Sequence, residues 1–307
     1  MDVKLLPVSE VNSLSIWGQG TMGRTWTLAA LMGGFEVWAH EPNSDTEASA
    51  MEFIDSVLRK AEKKKEQPGY ADEMLRRLKL VSSNELIESD TPIHLEVIPE
   101  NMRLKLDFFK GLDLQLLENT VLWTNTSCLN VEQMAIASGH PELFVGTHGM
   151  NPVHMMAGVE VVRTNLVDET VFDWTMEVLK KMGKTPFPAI NVPGFIVNKV
   201  YVPLALDCIR LLFRREADIA TVDKALQLSL GHPQGAFLLA DRIGHDVMID
   251  VANALHAATQ DPRFVVPVEY LAMRKAGLLG SKSGKGFYNW TDPKNPVPVP
   301  LEELLAL

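Results

Sequence analysis

The sequence predicts an α/β domain built on a doubly wound parallel sheet, followed by an all-helical second domain. Three observations predict it. Short apolar runs alternate with helical stretches from Ser13 to about Phe187, the pattern of repeated βαβ units. A glycine-rich turn follows the first apolar run at once. After Asn191-Val192-Pro193-Gly194, apolar residues recur at helical spacing with no clear strand, as in a helical bundle. The boundary is placed near Pro193, giving domains 1–193 and 194–307.

Taken in order, Ser13-Leu14-Ser15-Ile16-Trp17 reads as a strand and Gly18-Gln19-Gly20-Thr21-Met22-Gly23 as the turn after it. Arg24 to Met32 has helical character, closed by Gly33-Gly34, and Phe35 to Ala39 is a second strand ending at His40-Glu41. Gly18 permits a tight turn, Gly20 lets the backbone approach a pyrophosphate, and Gly23 lets the helix pack on the strand. The free N–H groups of the helix N-terminus favour phosphate. With an acid about 20 residues on, this is the context that gives the motif meaning. Glu41 would accept from both ribose hydroxyls and repel a 2′-phosphate, so the expected cofactor is NAD and the expected fold Rossmann-type.

Further along, Ser49 to Gln67 and Ala71 to Lys79 are expected helices, and Leu80-Val81 and Ile93 to Ile98 strands. Pro99-Glu100-Asn101 turns into a helix to about Lys110. Thr120 to Thr124 is the next strand, ending in Asn125-Thr126-Ser127-Cys128, and Val131 to Ala137 a short helix. Leu143-Phe144-Val145 is the strand before His148. Glu169 to Lys181 is a helix, and Lys184 to Phe187 a short edge strand. The second domain is expected to hold helices at Phe195 to Arg214, Ala220 to Leu230, Phe237 to Leu255 and Pro267 to Ala276, then an extended proline-rich tail and a last short helix.

The 307 residues carry a formal net charge of −10, with 46% hydrophobic and 22% charged residues. That is an ordinary globular composition, and the acidic balance argues against nucleic acid or an anionic membrane as partner. Cys128 and Cys208 make no disulfide or metal pattern, which fits a reducing compartment. No apolar stretch is long enough for a membrane span, and the start has neither secretory nor transit character. A cytoplasmic protein is expected.

The chemistry concentrates around Gly146-Thr147-His148-Gly149-Met150-Asn151-Pro152. Glu160 follows inside a second apolar run, Val159-Glu160-Val161-Val162. A carboxylate among valines is costly unless partnered, and an imidazole that titrates near neutrality is the obvious partner. The expectation is a histidine acid/base held by a glutamate. Ser127 reads either as a site residue or as the cap of the helix that follows it, and Cys128 as a small buried residue. Ligands sit at the carboxyl ends of strands in such sheets, where the glycine loop, Glu41, Glu96, Ser127 and His148 all fall.

Several motifs in order resemble the L-3-hydroxyacyl-CoA dehydrogenases, in the branch that includes 3-hydroxybutyryl-CoA dehydrogenases. Gly18 to Gly23 is similar to GxGxMG, and Leu95 to Asn101 to VEAIxEN. Asn125-Thr126-Ser127 matches NTS, His148 to Glu160 matches HFxNPxxxMxLVE in spacing, Gly194 to Asn198 matches GFIVN, and Gly280 to Tyr288 is similar to GKKxGxGFY. The resemblance implies reversible NAD-dependent oxidation of an L-3-hydroxyacyl-CoA of short chain to its 3-oxoacyl form. His148 would take the hydroxyl proton and Glu160 orient the imidazole. Ser127 would bond the reacting oxygen or carry part of the nicotinamide-side contacts, and Asn198 polarise a substrate carbonyl. Glu96, Lys105, Asn151 and Lys282 match cofactor-contacting positions. The resemblance also implies a homodimer through the helical domain. Lys60, Lys63 and Lys64 lie in a basic run, 59–65, whose i,i+4 spacing lets charges converge. A local cluster in an acidic protein suits the phosphates of coenzyme A. No metal is expected.

Departures from the family pattern cluster between the histidine and the glutamate. Gly149 and Met150 stand where aromatic residues usually follow the histidine, His154 replaces a proline, and Ala157-Gly158 a Lys-Leu pair. Lost side chains there are expected to widen or reshape the pocket, leaving the acyl group open. Three other readings stand beside the main one: a dehydrogenase of a free 3-hydroxy acid of the carnitine or gulonate type, a non-catalytic crystallin-like protein, and a 6-phosphogluconate-like dehydrogenase using Lys199.

Overall fold

The computed structural model describes residues 3–81, 91–113 and 120–307. The chain divides into two compact units, Met1–Val192 and Pro193–Leu307. The first is a Rossmann-like sheet flanked by helices and the second is helical.

In the first unit the elements run β1 (Ser13–Trp17), α1 (Thr21–Met32), β2 (Glu36–His40), α2 (Ser44–Lys65), α3 (Tyr70–Arg76), β3 (Leu78–Val81), β4 (Ile93–Glu96), α4 (Met102–Asp113), β5 (Val121–Thr124), α5 (Val131–Ala137), β6 (Phe144–Gly149), β7 (Gly158–Arg163), α6 (Glu169–Lys181) and β8 (Thr185–Ile190). Among the described residues, eight strands form one sheet in the order β3-β2-β1-β4-β5-β6-β7-β8. The central strands β4 and β5 are buried along their whole length, while β8 at the edge alternates. Burial on both faces suits the apolar run of β5, whereas in β4 the buried His94 and Glu96 are bonded to Trp17 and Lys105.

The sheet departs from the expected all-parallel pattern in one place. β7 runs antiparallel to β6, with His148 directly opposite Glu160, and β8 returns parallel to β7. Residues 150–157 are too few to carry a parallel crossover with its helix, whereas an antiparallel return needs only a short connection. The separation that looked like two independent runs is therefore one hairpin. His148 and Gly149 also belong to the strand, while Leu143 sits in a 3-10 turn before it.

Other boundaries shift for local reasons. α2 starts at Ser44, because Asn43 accepts from the Thr46 N–H as its N-cap, satisfying one of the orphan donors of the first turn. The helix expected to reach Lys79 ends at Arg76, since Leu78–Val81 pairs with β2. Pairing along a whole strand overrides the helix propensity of Leu78 and Lys79.

The second unit holds α7 (Val197–Phe213), α8 (Ile219–Leu230), α9 (Ala236–Ile243), α10 (His245–Thr259) and α11 (Val268–Lys275). The short strands β9 (Tyr288–Asn289) and β10 (Val297–Pro298) and the final helix α12 (Leu301–Leu305) follow. The stretch expected as one helix from Phe237 to Leu255 is two, broken at Gly244 with φ 102°, a conformation glycine adopts without a Cβ penalty. Within the extended tail, β10 pairs antiparallel with β9 before the last short helix.

The motif at Gly280 to Tyr288 has a structural cause. Asp241 is fully buried and accepts from the Phe287 and Tyr288 N–H groups, the Trp290 indole and His245. A Cβ at Gly286 would come 2.3 Å from the Asp241 Oδ1, and one at Gly280 2.2 Å from its carbonyl oxygen. Bare backbone is what lets the donors converge on one carboxylate, and a buried charge needs such partners.

Candidate active site

The hairpin β6–β7 places an imidazole against a carboxylate. His148 Nδ1 lies 2.7 Å from Glu160 Oε2, with the ring 5% and the glutamate 0% exposed. The other ring nitrogen, Nε2, lies 3.1 Å from Ser127 Oγ. A carboxylate at Nδ1 keeps the neutral ring's proton on that nitrogen, so Nε2 is the acceptor. The three residues come from two strands and the loop after β5, which is the geometry of a general base with an orienting acid.

Ser127 is not a helix cap. The N-cap of α5 is Asn130, whose Oδ1 accepts from the Glu132 and Gln133 N–H groups. The Ser127 loop is held instead by Glu100, whose Oε1 accepts from Thr126 Oγ1 at 2.7 Å and the Ser127 N–H at 2.9 Å. Glu100 was given no role from sequence. Its place right after Pro99, at the carboxyl end of β4, was the available signal. Burial, with Glu100 beside it, pushes the Cys128 thiol up to about 12, so it stays protonated and poorly nucleophilic.

Beneath this loop lies an internal ion pair. Lys105 is 1% exposed and bonds Glu96, which is itself wholly buried and accepts from Thr124 Oγ1 at 2.6 Å. Burial raises the Glu96 carboxyl above its ordinary range, against the opposing pull of Lys105. The Lys105 ammonium also lies 3.5 Å from Glu100. Glu96 and Lys105 thus direct their charged ends at each other and support the Ser127 loop from within.

The dinucleotide elements gather at the carboxyl ends of β1 and β2. Gly18 has φ 95° and donates its N–H to the His40 carbonyl. A Cβ at Gly23 would lie 1.8 Å from the Gly18 carbonyl oxygen, whereas at Gly20, the N-cap of α1, it would meet nothing within 4 Å. Gln19 is buried, its side chain bonded to Thr27 and Ile16, while Thr21 and Met22 open the helix. Glu41 Oε2 accepts from the Gln19 N–H at 2.8 Å and Oε1 from the Asn43 N–H at 3.0 Å. Open space over Gly20, a helix N-terminus without a side-chain cap, and a carboxylate fixed beside the loop together fit a dinucleotide.

The remaining expected residues lie elsewhere. Lys60, Lys63 and Lys64 are exposed on α2, but Arg59 in the same run is engaged by Asp55 and Asp72. Asn151 is exposed at the start of the loop after β6. In the second unit, Asn198 is half-buried in the first turn of α7, and Lys282 is paired with Asp246 at 2.6 Å.

Three of the departures are matched by neighbours. A Cβ on Gly149 would meet the fully buried Trp26 ring at 2.8 Å, and one on Gly158 would meet Phe187 at 3.3 Å. His154 lies edge-on to Phe53 of α2. At these positions aromatic rings from α1, β8 and α2 stand against the backbone or side chain. Lys184 closes the loop by donating to the Val153 and Met156 carbonyls.

No helix among the described residues is long and apolar enough to cross a membrane. Among those residues no group of three or more His, Cys, Asp and Glu could hold a metal ion.

Comparison with known proteins adds a family. The model described as "3-hydroxyacyl-CoA dehydrogenase, NAD binding domain" matches residues 13–192, and that family's C-terminal domain matches residues 194–290. The "Probable 3-hydroxybutyryl-CoA dehydrogenase" of Bacillus subtilis is 32% identical over 285 residues, covering 92% of this chain and 99% of its own. The "Hydroxyacyl-coenzyme A dehydrogenase, mitochondrial" of Sus scrofa is 32% identical, with 91% of each chain covered. The solved (S)-3-hydroxybutyryl-CoA dehydrogenase PaaH1 from Ralstonia eutropha superposes with a TM-score of 0.83 at 29% identity, over 90% of this chain and 98% of that one.

Proposed function

The chain belongs to the 3-hydroxyacyl-CoA dehydrogenase family and carries its NAD-binding domain, and we propose that it interconverts a short-chain L-3-hydroxyacyl-CoA and its 3-oxoacyl-CoA with His148 and Glu160 as the acid/base pair. The observation that carries this reading is the cross-strand pair itself, with Nδ1 on Glu160 and Nε2 turned to Ser127. Nε2 takes the proton of the substrate 3-hydroxyl as C3 gives up its hydride, and in reduction it returns that proton to the 3-oxo oxygen. The nicotinamide of NAD supplies the hydride acceptor or donor. Glu160 faces the positive charge that the ring gains in this step, in a site where water does not screen it. Ser127 Oγ bonds the reacting oxygen. Asn198 is assigned to polarise a substrate carbonyl.

On the cofactor side, Gly18 to Gly23 take the pyrophosphate and Glu41 the adenosine ribose, with Asn151 and Lys282 as further contacts. Glu96 and Lys105 act by holding the Ser127 loop. Exposed Lys60, Lys63 and Lys64 suit the phosphates of coenzyme A. The short acyl chain is supported by the names of the bacterial relatives. The free thiols Cys128 and Cys208 fit a cytoplasmic setting. Apolar Val200 and Leu211, exposed on α7, support pairing of two copies through the helical unit.

The test is a substrate panel read by NADH absorbance, with acetoacetyl-CoA, longer 3-oxoacyl-CoAs, and the free acids carnitine and gulonate. Acetoacetyl-CoA should be turned over best, and the Lys63→Ala, Lys64→Ala, Lys65→Ala variant should raise its KM. Faster turnover of a free acid, with the CoA KM unmoved in that variant, would replace the thioester by a free 3-hydroxy acid.

A further inference from the structure

Trp26 has no part in the reading above, yet it touches the backbone on which that reading depends. It sits on α1, the helix that follows the glycine loop, and is fully buried. Its indole Nε1 donates to Asn125 Oδ1 at 2.8 Å. The same oxygen accepts the Gly149 N–H at 3.0 Å. Gly149 directly follows His148, and Asn125 stands two residues before Ser127. One carbonyl oxygen therefore joins α1 to both sides of the His148–Ser127 contact.

The ring is fitted as closely as the hydrogen bond. A Cβ at Gly149 would come 2.8 Å from Trp26 Cζ2, 3.1 Å from its Cε2, and 3.1 Å from Val153 Cγ2. Any side chain at 149 needs the volume the indole fills, so the two positions form one packing unit. A hydrogen bond alone would leave the peptide free to tilt, and packing alone would leave the Asn125 amide free to turn. Together they fix the peptide after His148 in both respects.

We propose that Trp26 is a positioning residue for the acid/base histidine, and that Trp26, Asn125 and Gly149 tie the dinucleotide helix to it. The proposal rests on His148 acting as the acid/base. Misplacement of a reacting group by about 1 Å can cost about a hundredfold in rate, so a rigid link from the cofactor helix to the histidine has a clear use. Trp26 acts through the backbone and touches no reacting atom.

The experiment compares Trp26→Phe, Gly149→Phe, the double variant Trp26→Ala with Gly149→Phe, and His148→Gln, all as full chains. Readouts are kcat and KM for acetoacetyl-CoA and NADH, NADH binding stoichiometry, Tm, and hydrogen exchange of the 146–152 peptide. Trp26→Phe keeps most of the ring and loses the donor. It should lower kcat about 3- to 10-fold, the worth of one neutral hydrogen bond, with KM and NADH stoichiometry unchanged and exchange at 146–152 faster. Gly149→Phe should lose activity about a hundredfold or more by overpacking, and the double variant should recover at least about tenfold of that loss by returning the volume. Wild-type kcat and wild-type exchange in Trp26→Phe, while His148→Gln is inactive, overturns the inference and leaves the proposed chemistry standing. Full activity in His148→Gln overturns that chemistry and this inference with it.

Discussion

Replacing Glu160 by glutamine isolates what the carboxylate contributes to turnover. The amide keeps the side chain's size and an acceptor oxygen for the Nδ1 proton, so the neutral site should survive. What it lacks is the charge that faces the imidazolium when Nε2 takes the substrate proton. Glu160 is fully buried and 2.7 Å from a ring that is itself 5% exposed, so solvent cannot replace that charge. Removing one partner of a buried pair costs about 3–5 kcal/mol, and about 1.4 kcal/mol corresponds to tenfold in rate. The expected loss in kcat is therefore roughly a hundred- to a few thousandfold. The assay is acetoacetyl-CoA reduction followed by NADH absorbance, with NADH titration and thermal unfolding run on the same protein. In the proposed step the ring gains its charge from the substrate proton, so the NADH affinity should not move. A fall in kcat of less than about fivefold in a folded variant would refute the role of the pair in proton transfer, as would equal loss of rate and NADH binding.

Two further outcomes follow from the same geometry. Ser127→Ala should lower kcat about tenfold through one lost hydrogen bond near the reacting oxygen, yet leave helix content by circular dichroism unchanged, because Asn130 and not Ser127 caps α5; a loss of helix would contradict this. His94 is the second. Burial, with His40 a smaller cause, holds its imidazole down at about 3, against an ordinary 6.5. Below about 6.5 the unfolded chain takes up a proton that the folded chain refuses. Stability therefore falls as pH drops from about 6.5 toward about 3, by up to about 1.4 kcal/mol per unit, and this group contributes no slope above that window. Urea unfolding at about pH 7 and about pH 5 should show a loss of about 2 kcal/mol from this site in the wild type that His94→Asn does not share, and equal losses in the two proteins would sink the assignment.

What was readable in the sequence was what depends on neighbours along the chain. The glycine turn after β1, the helix after it and Glu41 at the end of β2 are fixed by local sterics and backbone donors, and they sit where the sequence puts them. Short buried strands were legible from their apolar runs, though not their direction. The β6–β7 return escaped because nothing in an apolar run says whether its partner runs parallel, and only the length of the connection decides it. Lys105 was read only as matching a cofactor-contacting position. It is buried because Glu96 awaits it across nine residues of chain, a pairing visible only in three dimensions. Asp241 went unread for the same reason, since apart from His245 its donors lie some forty-odd residues further on.

The departures from the family pattern carry the more general point. Read singly, Gly149 looked like a lost side chain, His154 like a swap for a proline, and Gly158 like a second lost side chain, the losses expected to widen or reshape the pocket between histidine and glutamate. Each instead faces an aromatic ring contributed from elsewhere: Trp26, Phe53 and Phe187 respectively. A missing side chain opens a pocket only if nothing else has grown into its place, and dense interiors seldom leave such a place empty. Here the space behind the β6–β7 hairpin is filled by rings from other elements. Substrate preference is then better sought at Met150 and Ala157 and at the exposed Met155 and Met156 of the same loop. Thioether side chains adapt their shape to what they contact, so acyl preference is expected to respond to substitution there more than at Gly149.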